Sequence, residues 1–141
     1  MINILFVCVH NSARSQMAEA FMNYYGKNKF FAKSAGLEPG RLNPYVVRSM
    51  QAIGMDISKN DTKSTDDMLK QGHHFDYVFT VCDGANGERC PFFPGMKKRI
   101  HWDLSDPSAF KGTDDEIMKQ VAVVRDQIKN LVRDFISNYQ D

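Results

Sequence analysis

Long apolar runs are missing from this chain of 141 residues, and no stretch approaches the length that crosses a bilayer. The short apolar start has neither a basic flank nor a cleavage site behind it, so no signal peptide is expected. The formal net charge is only +1, which gives no sign of a surface for nucleic acid or for membranes. Repeats, low-complexity tracts and linkers are missing too. We therefore expect one cytoplasmic domain over residues 1–141, acting as a monomer.

Cysteine is scarce, with three residues at positions 8, 82 and 90. An odd number of cysteines in a reducing compartment argues against a permanent structural disulfide. A zinc site would need closer cysteine pairs and a fourth ligand, for which His101 is the one nearby candidate. We expect no bound metal, and the cysteines become a question about reactivity.

The most informative segment is the run C-V-H-N-S-A-R-S at positions 8–15. An apolar run over residues 2–7 predicts a buried strand before it, and helical spacing of apolar residues over 15–25 predicts a helix after it. A sharp loop between two such elements turns backbone N–H groups inward at a helix N-terminus, which creates an anion site. The expected oxyanion-binding residues are Val9, His10, Asn11, Ser12, Ala13, Arg14 and Ser15.

Within this loop, the spacing of Cys8 and Arg14 indicates nucleophilic chemistry on a tetrahedral oxyanion. Arg14 can hold two oxygens of the anion bidentately. The positive surroundings favour the thiolate of Cys8, and Ser15 can donate a hydroxyl hydrogen bond to that sulfur. Asn11 tolerates the left-handed conformation that such a turn needs. We interpret His10 as a loop residue, and the alternative for the cysteine is that it merely fills a buried strand end.

Strand-like and helix-like segments alternate along the rest of the chain. Further strands are predicted at residues 30–33, 77–81 and 98–102. Further helices are predicted at residues 44–53, at 64–72 and in a long C-terminal segment that opens with the capping box T-D-D-E at 113–116. This alternation predicts an α/β fold, with an open parallel four-stranded sheet and helices on both faces. Ligands of such folds bind beyond the carboxyl ends of the strands, so the loops after strands one, three and four should converge.

Cys82 and Cys90 bracket the seven-residue segment D-G-A-N-G-E-R. Its two glycines give the chain freedom for the sulfurs to meet, since a disulfide needs Cα atoms within about 7 Å of each other. The glycines, and Arg89 beside Cys90, favour a redox role. Inert buried thiols are the alternative.

An acidic segment, D-L-S-D-P at 103–107, follows the last predicted strand. Asp106 is placed to protonate an oxygen that leaves a bound oxyanion. Asp103 competes for this role, and either aspartate could simply form a turn. We expect Asp106 to be the general acid because its loop should face Cys8.

Together these motifs resemble arsenate reductases built on the low-molecular-weight protein tyrosine phosphatase fold, over essentially the whole chain. The resemblance is carried by N-S-x-R-S-Q-M-A-E-A at 11–20, S-A-G at 34–36, C-P at 90–91, H-W-x3-D-P at 101–107 and G-T-x-x-E at 112–116. The chain departs from that pattern at Ala13, where many relatives have another cysteine. It also has His10 in place of the usual glycine.

The resemblance implies that arsenate is reduced to arsenite through a thiol–disulfide relay. Cys8 attacks arsenate held by the loop and Arg14, while Asp106 protonates the leaving oxygen. Cys82 then attacks Cys8 and releases arsenite, and Cys90 converts the Cys8–Cys82 disulfide into a Cys82–Cys90 disulfide. An external thiol reductant, thioredoxin or else glutaredoxin with glutathione, completes the cycle, and no cofactor stays bound.

Two alternatives remain at the level of sequence. Phosphate and sulfate share the shape and charge of arsenate, so the loop also suits a phosphatase that acts on phosphotyrosine or small phosphate esters through a cysteinyl-phosphate. Such a phosphatase usually has an aromatic residue where this chain has Ser108, and it would have no use for Cys82 and Cys90. A sensor or sink that captures arsenite on its thiols is the other alternative, but it would not need Arg14.

Overall fold

A computed structural model of the protein describes residues 1–81 and 93–140. Within these residues the strands are β1 (Ile2–Cys8), β2 (Phe30–Gly36), β3 (Tyr77–Thr80) and β4 (Lys98–His101). The helices are α1 (Arg14–Tyr25), α2 (Pro44–Gln51), α3 (Thr65–Lys70) and α4 (Asp114–Asn138), and a 3₁₀ turn covers Pro107–Ala109. Cys82, Cys90 and the segment between them lie outside the described residues.

The four strands are parallel and form one sheet in the order β2-β1-β3-β4. β1 is central and buried on both sides, because alternate side chains of a strand enter opposite layers. Ile4 and Phe6 pack with apolar residues of α1, α2 and α4. Leu5 and Val7 pack on the other face with Met68 of α3. The predicted parallel four-stranded sheet with helices on both faces is confirmed.

Two helices begin at residues that cap them. The Asn43 side chain accepts hydrogen bonds from the N–H groups of Tyr45 and Val46, and Pro44 occupies the first helical position of α2. At α4, Thr113 and Glu116 exchange the reciprocal hydrogen bonds of a capping box. Local side-chain chemistry therefore sets where these two helices begin.

The predicted ends of β2, α2 and α3 are wrong by two or three residues. β2 runs to Gly36 instead of ending at residue 33, because Ser34 and Ala35 are small enough to be buried beside Phe6 and Val7. α2 ends at Gln51, two residues before its predicted end at residue 53. Ile53 therefore lies outside the helix and is 40% exposed instead of facing the core.

The register brings the carboxyl ends of the strands to one edge of the sheet. Cys8 pairs with Gly36 of β2, and Val7 pairs with Thr80 of β3. Thr80 in turn pairs with His101, the last residue of β4.

Among the described residues, no helix combines the length and the apolar character needed to cross a membrane.

Candidate active site

The loop after β1 is tied down along its outer side. The carbonyls of residues 8, 9 and 10 accept hydrogen bonds from the loop after β2: from Leu37 to Cys8 at 3.1 Å, from Glu38 to Val9 at 2.7 Å and from Gly40 to His10 at 2.9 Å. In a trans peptide, a carbonyl that points outward turns the N–H group of the next residue inward. The N–H groups of residues 9–11 therefore face the inside of the loop, where they can bind an anion.

Gly36 makes this close packing possible. A Cβ atom at position 36 would lie 2.8 Å from the backbone nitrogen of Asn11 and 2.9 Å from the carbonyl oxygen of Val9. Both distances are shorter than non-bonded atoms tolerate, so any larger residue would push the loop away. Spacing in the sequence gives no sign of this role, because Gly36 is distant from the loop along the chain.

The sulfur of Cys8 lies at the floor of the loop, and the residue as a whole is 2% exposed. It accepts a hydrogen bond from the N–H group of Asn11 at 3.1 Å, and the hydroxyl oxygen of Ser15 lies 2.8 Å away. That hydroxyl also accepts a hydrogen bond from Nδ2 of Asn11 at 2.8 Å, and it would donate its own hydrogen to a thiolate at Cys8, which can only accept. Two donors therefore converge on Cys8, an arrangement that suits a thiolate.

Asn11 adopts the predicted left-handed conformation, with φ at +55°. Its neighbour His10 stands where the arsenate reductases that the motifs resemble usually have a glycine. Among the described residues other than glycine, Asn11 has a positive φ and His10 does not. An L-residue is therefore accommodated there without strain. The His10 side chain is exposed, and its Nδ1 lies 2.8 Å from the carbonyl oxygen of Glu38. This position agrees with the interpretation of His10 as a loop residue.

Arg14 joins the loop to the segment after β4. Its side chain is 3% exposed, and Nη1 donates to the carbonyl oxygen of Leu104 at 3.0 Å. Nη2 lies 3.6 Å from the carboxylate of Asp106, whose side chain is 29% exposed. Asp106 also caps the 3₁₀ turn by accepting a hydrogen bond from the N–H group of Ser108. The structure thus brings Asp106 to the loop, while the side chain of Asp103 is exposed.

Residues 3–140 match the family of low molecular weight phosphotyrosine protein phosphatases. The chain belongs to this family.

Proteins similar to this chain include arsenate reductases. An arsenate reductase from Halalkalibacterium halodurans is 39% identical over 132 residues, which cover 94% of this chain and 93% of the relative. The structure of an arsenate reductase in the phosphate-binding state has a TM-score of 0.80 and 29% identity, and covers 99% of this chain and 100% of the other. The structure of a thioredoxin-dependent arsenate reductase from Corynebacterium glutamicum has a TM-score of 0.67 and 30% identity. The match covers 99% of this chain and 64% of the other. The resemblance predicted from the motifs is confirmed.

The phosphatase-family loop borders a cleft of about 310 Å³ that contains Ser12 and Pro107 in its wall. Tyr45 and Phe110 line the same cleft and supply aromatic rings beside the loop. The hydroxyl of Tyr45 donates a hydrogen bond to Asp114 at 2.7 Å, and this bond raises the pKa of Tyr45. Sequence analysis missed both rings because it considered only the position after Asp-Pro, which is Ser108.

A larger depression of about 1060 Å³ borders α1. Polar residues line it, among them Glu19, Lys33, Lys63 and His73. Burial raises the pKa of Glu19 above its ordinary value of 4.5, against the opposing effects of Lys63 and of a hydrogen bond from Ser34. The folded state therefore holds the proton of Glu19 more tightly than the unfolded chain. Raising the pH from 4.5 through the raised pKa of Glu19 therefore lowers the free energy of unfolding.

The second cysteine, Cys82, comes two residues after Thr80, the last residue of β3. The last described residue before it, Val81, is fully buried, and its N–H group donates to the carbonyl oxygen of Val7 at 2.8 Å. Among the described residues, no group of three or more histidine, cysteine or acidic side chains is arranged to hold a metal ion. His101, the candidate zinc ligand, has its Nδ1 2.6 Å from the hydroxyl of Thr80.

Proposed function

We propose that this protein reduces arsenate to arsenite, with Cys8 as the nucleophile and an external thiol as the electron donor. The observation that carries the proposal is the buried Cys8 sulfur, which accepts a hydrogen bond from the N–H group of Asn11 and lies 2.8 Å from the hydroxyl of Ser15, inside a loop lined by N–H groups. Its similarity to arsenate reductases extends over nearly the whole chain. The phosphatase family alone does not decide between arsenate and phosphate, because both anions fit the same loop.

In the first proposed step, the thiolate of Cys8 attacks arsenic and forms a sulfur–arsenic bond. One arsenic–oxygen bond breaks, and Asp106 gives its proton to the departing oxygen, which leaves as water. Arg14 and the inward N–H groups of residues 9–11 stabilise the charge on the remaining oxygens. The contact of 3.6 Å between Arg14 and Asp106 supports this division of roles, because it keeps the acid beside the group that holds the anion.

In the second proposed step, the thiolate of Cys82 attacks the sulfur of Cys8. The electron pair of the sulfur–arsenic bond goes to arsenic, which leaves as arsenite, and a Cys8–Cys82 disulfide forms. Cys90 then attacks the sulfur of Cys82, which frees Cys8 as a thiolate and leaves a Cys82–Cys90 disulfide. The hydrogen bond from Val81 to Val7 supports this order, because it holds the chain just before Cys82 next to the end of β1.

Thioredoxin is the electron donor that we propose, since a similar arsenate reductase is thioredoxin-dependent. Glutaredoxin with glutathione is the competing donor. The reaction fits the cytoplasm, where reductants keep thiols free. We further propose that residues 1–141 act as one monomeric domain without a bound metal or cofactor.

A turnover assay tests the proposed function. Purified protein is incubated with arsenate and either the thioredoxin or the glutaredoxin system, and arsenite is quantified over time. Steady arsenite production with thioredoxin is the expected result. The absence of arsenite with every donor, together with rapid hydrolysis of an aryl phosphate, would establish the phosphatase instead.

Hydrolysis of aryl phosphates is a second candidate activity, favoured by one feature of the site. The cleft between Tyr45 and Phe110 opens directly beside the loop, and two aromatic rings can contact the ring of an aryl ester. Phosphate transfer to Cys8 would need only the loop and Asp106. We therefore expect slow hydrolysis of p-nitrophenyl phosphate alongside arsenate reduction.

Asp106→Asn is expected to slow arsenate reduction about a hundredfold, since a positioned general acid contributes about 10²–10⁴-fold. Asparagine keeps the size of the side chain and its ability to cap the 3₁₀ turn, so the fold should be retained. The measurement is the single-turnover rate of arsenite formation, and Asp103→Asn is the matched control with a near-parental rate. Equal rates in the two variants would remove Asp106 from the mechanism.

A further inference from the structure

Gln16 has a fully buried polar side chain that the proposed chemistry does not use. It lies in the first turn of α1, and its Nε2 is 3.1 Å from each of three oxygens: the carbonyl oxygen of Asn11, Oδ1 of Asn11 and the carbonyl oxygen of Asp61. Its Oε1 accepts a hydrogen bond from Nδ2 of Asn60 at 3.1 Å. Burying an amide is costly unless its partners are all in place, so this set of contacts calls for a reason.

The contacts of Gln16 meet at the residue of the anion loop that has a left-handed backbone. Asn11 has a φ of +55°, a conformation that asparagine tolerates better than most residues with a Cβ but still adopts less readily than glycine. Gln16 holds the Asn11 carbonyl oxygen from inside the molecule. It also contacts the carbonyl oxygen of Asp61 and the side chain of Asn60, and so binds the segment at 60–63. From this segment the N–H group of Lys63 donates to Oδ1 of Asn11 at 2.9 Å.

These contacts also decide which way the Asn11 side-chain amide points. Gln16 and Lys63 both offer donors to Oδ1, so Nδ2 has to face the other way, toward the hydroxyl oxygen of Ser15 at 2.8 Å. Ser15 then directs its hydrogen to the sulfur of Cys8, and the backbone N–H group of Asn11 provides the second donor. A continuous series of hydrogen bonds therefore runs from Gln16 to Cys8.

We propose that Gln16 is a positioning residue, which holds Asn11 in its left-handed conformation and thereby sets both hydrogen bonds received by the Cys8 sulfur. The inference rests on the proposed function only in taking Cys8 as the reactive thiol. It predicts that the loss of the Gln16 amide makes the thiolate of Cys8 harder to form. A purely structural role in packing α1 would leave the reactivity of Cys8 unchanged.

The test is the pH dependence of Cys8 alkylation by iodoacetamide in the parental protein and in Gln16→Met. Trypsin places the cysteines on separate peptides, residues 1–14, 71–89 and 90–97, so each thiol is followed by mass spectrometry on its own. When the rate of Cys8 alkylation is plotted against pH, the midpoint of this profile is expected to rise by about 0.5 to 1 pH unit in Gln16→Met. The reason is that the thiolate loses hydrogen-bond donors. The rate at neutral pH falls correspondingly, by about three- to tenfold.

The substitution leaves every titratable group around the loop in place. Among the described residues, these groups include Arg14 and Glu19 on α1, His10 in the loop, Asp61 and Lys63 before α3, and Asp106 after β4. A shift of the Cys8 profile therefore reports the hydrogen bonds and not a changed charge. If Gln16→Met does not fold by circular dichroism, Gln16→Asn provides the readout, because its amide is uncharged and one methylene too short to keep the contacts with Asn11.

Asn23→Ala is the matched control on the same helix. Asn23 also ties α1 to neighbouring backbone, donating to the carbonyl oxygen of Ala32 at 3.0 Å and accepting from its N–H group at 2.8 Å. This variant should lose stability but keep the parental Cys8 profile. An unshifted profile in a folded Gln16 variant, or an equal shift in Asn23→Ala, would overturn the inference. A shifted profile in a protein that does not reduce arsenate would overturn the proposed function and leave the inference standing.

Discussion

Cys8→Ser is expected to lose both arsenate reduction and aryl phosphate hydrolysis, each by about three orders of magnitude or more, since both reactions need the same nucleophile. A serine hydroxyl is far less ionised than a thiol at neutral pH. The residues around it, Asn11 and Ser15, offer hydrogen-bond donors but no base to remove its proton. The measurement is the initial rate with each substrate under the same conditions.

Binding of phosphate provides the control for Cys8→Ser. Arg14 and the N–H groups of the loop are unchanged in this variant, so calorimetry should still detect phosphate binding. A variant that binds phosphate but catalyses neither reaction assigns the chemistry to the sulfur. Retention of either activity near the parental rate would mean that another residue is the nucleophile.

Cys82→Ser and Cys90→Ser are expected to separate the two activities. Each variant should release no more than one arsenite per chain, because the relay cannot return Cys8 to its free thiolate. Hydrolysis of p-nitrophenyl phosphate should stay close to the parental rate, since it needs neither of these thiols. The measurement is arsenite formed per chain in the presence of thioredoxin, with phosphate ester hydrolysis by the same samples as the internal control.

Sustained arsenite production by both serine variants would contradict the three-thiol relay. In that case the external thiol would have to act directly on the arsenic bound to Cys8. Loss of phosphate ester hydrolysis in either variant would mean that Cys82 or Cys90 is also needed for the reactivity of Cys8, which would contradict separate roles for the three cysteines.

The fold could be predicted where its cause is local in the sequence. The apolar run of β1 and the capping residues Asn43 and Thr113 each act within a few neighbours, so their consequences can be anticipated. The end of β2 could not, because Ser34 and Ala35 are strand residues only by virtue of their pairing with Phe6 and Val7. Strand propensity does not include that partner.

The same division applies to the candidate site. Cys8, Asn11 and Ser15 lie within eight residues, and their hydrogen bonds follow from the loop that joins a strand to a helix. Arg14 meets the carbonyl oxygen of Leu104 across 90 positions of sequence, and Gly36 contacts the loop from a neighbouring strand. These long-range contacts depend on the sheet order. Spacing therefore predicted Cys8, Arg14 and the contact of Ser15 with the sulfur, whereas the contacts made by Leu104 and Gly36 needed the structure.

Peptide mapping without reduction tests the central claim most directly. The reduced protein is treated with arsenate in the absence of any donor, free thiols are blocked, and tryptic peptides are analysed by mass spectrometry. The account predicts a disulfide between the peptides of residues 71–89 and 90–97, which carry Cys82 and Cys90, with Cys8 blocked as a free thiol and one arsenite released per chain. Arsenite release without any bridge between these two peptides would contradict it.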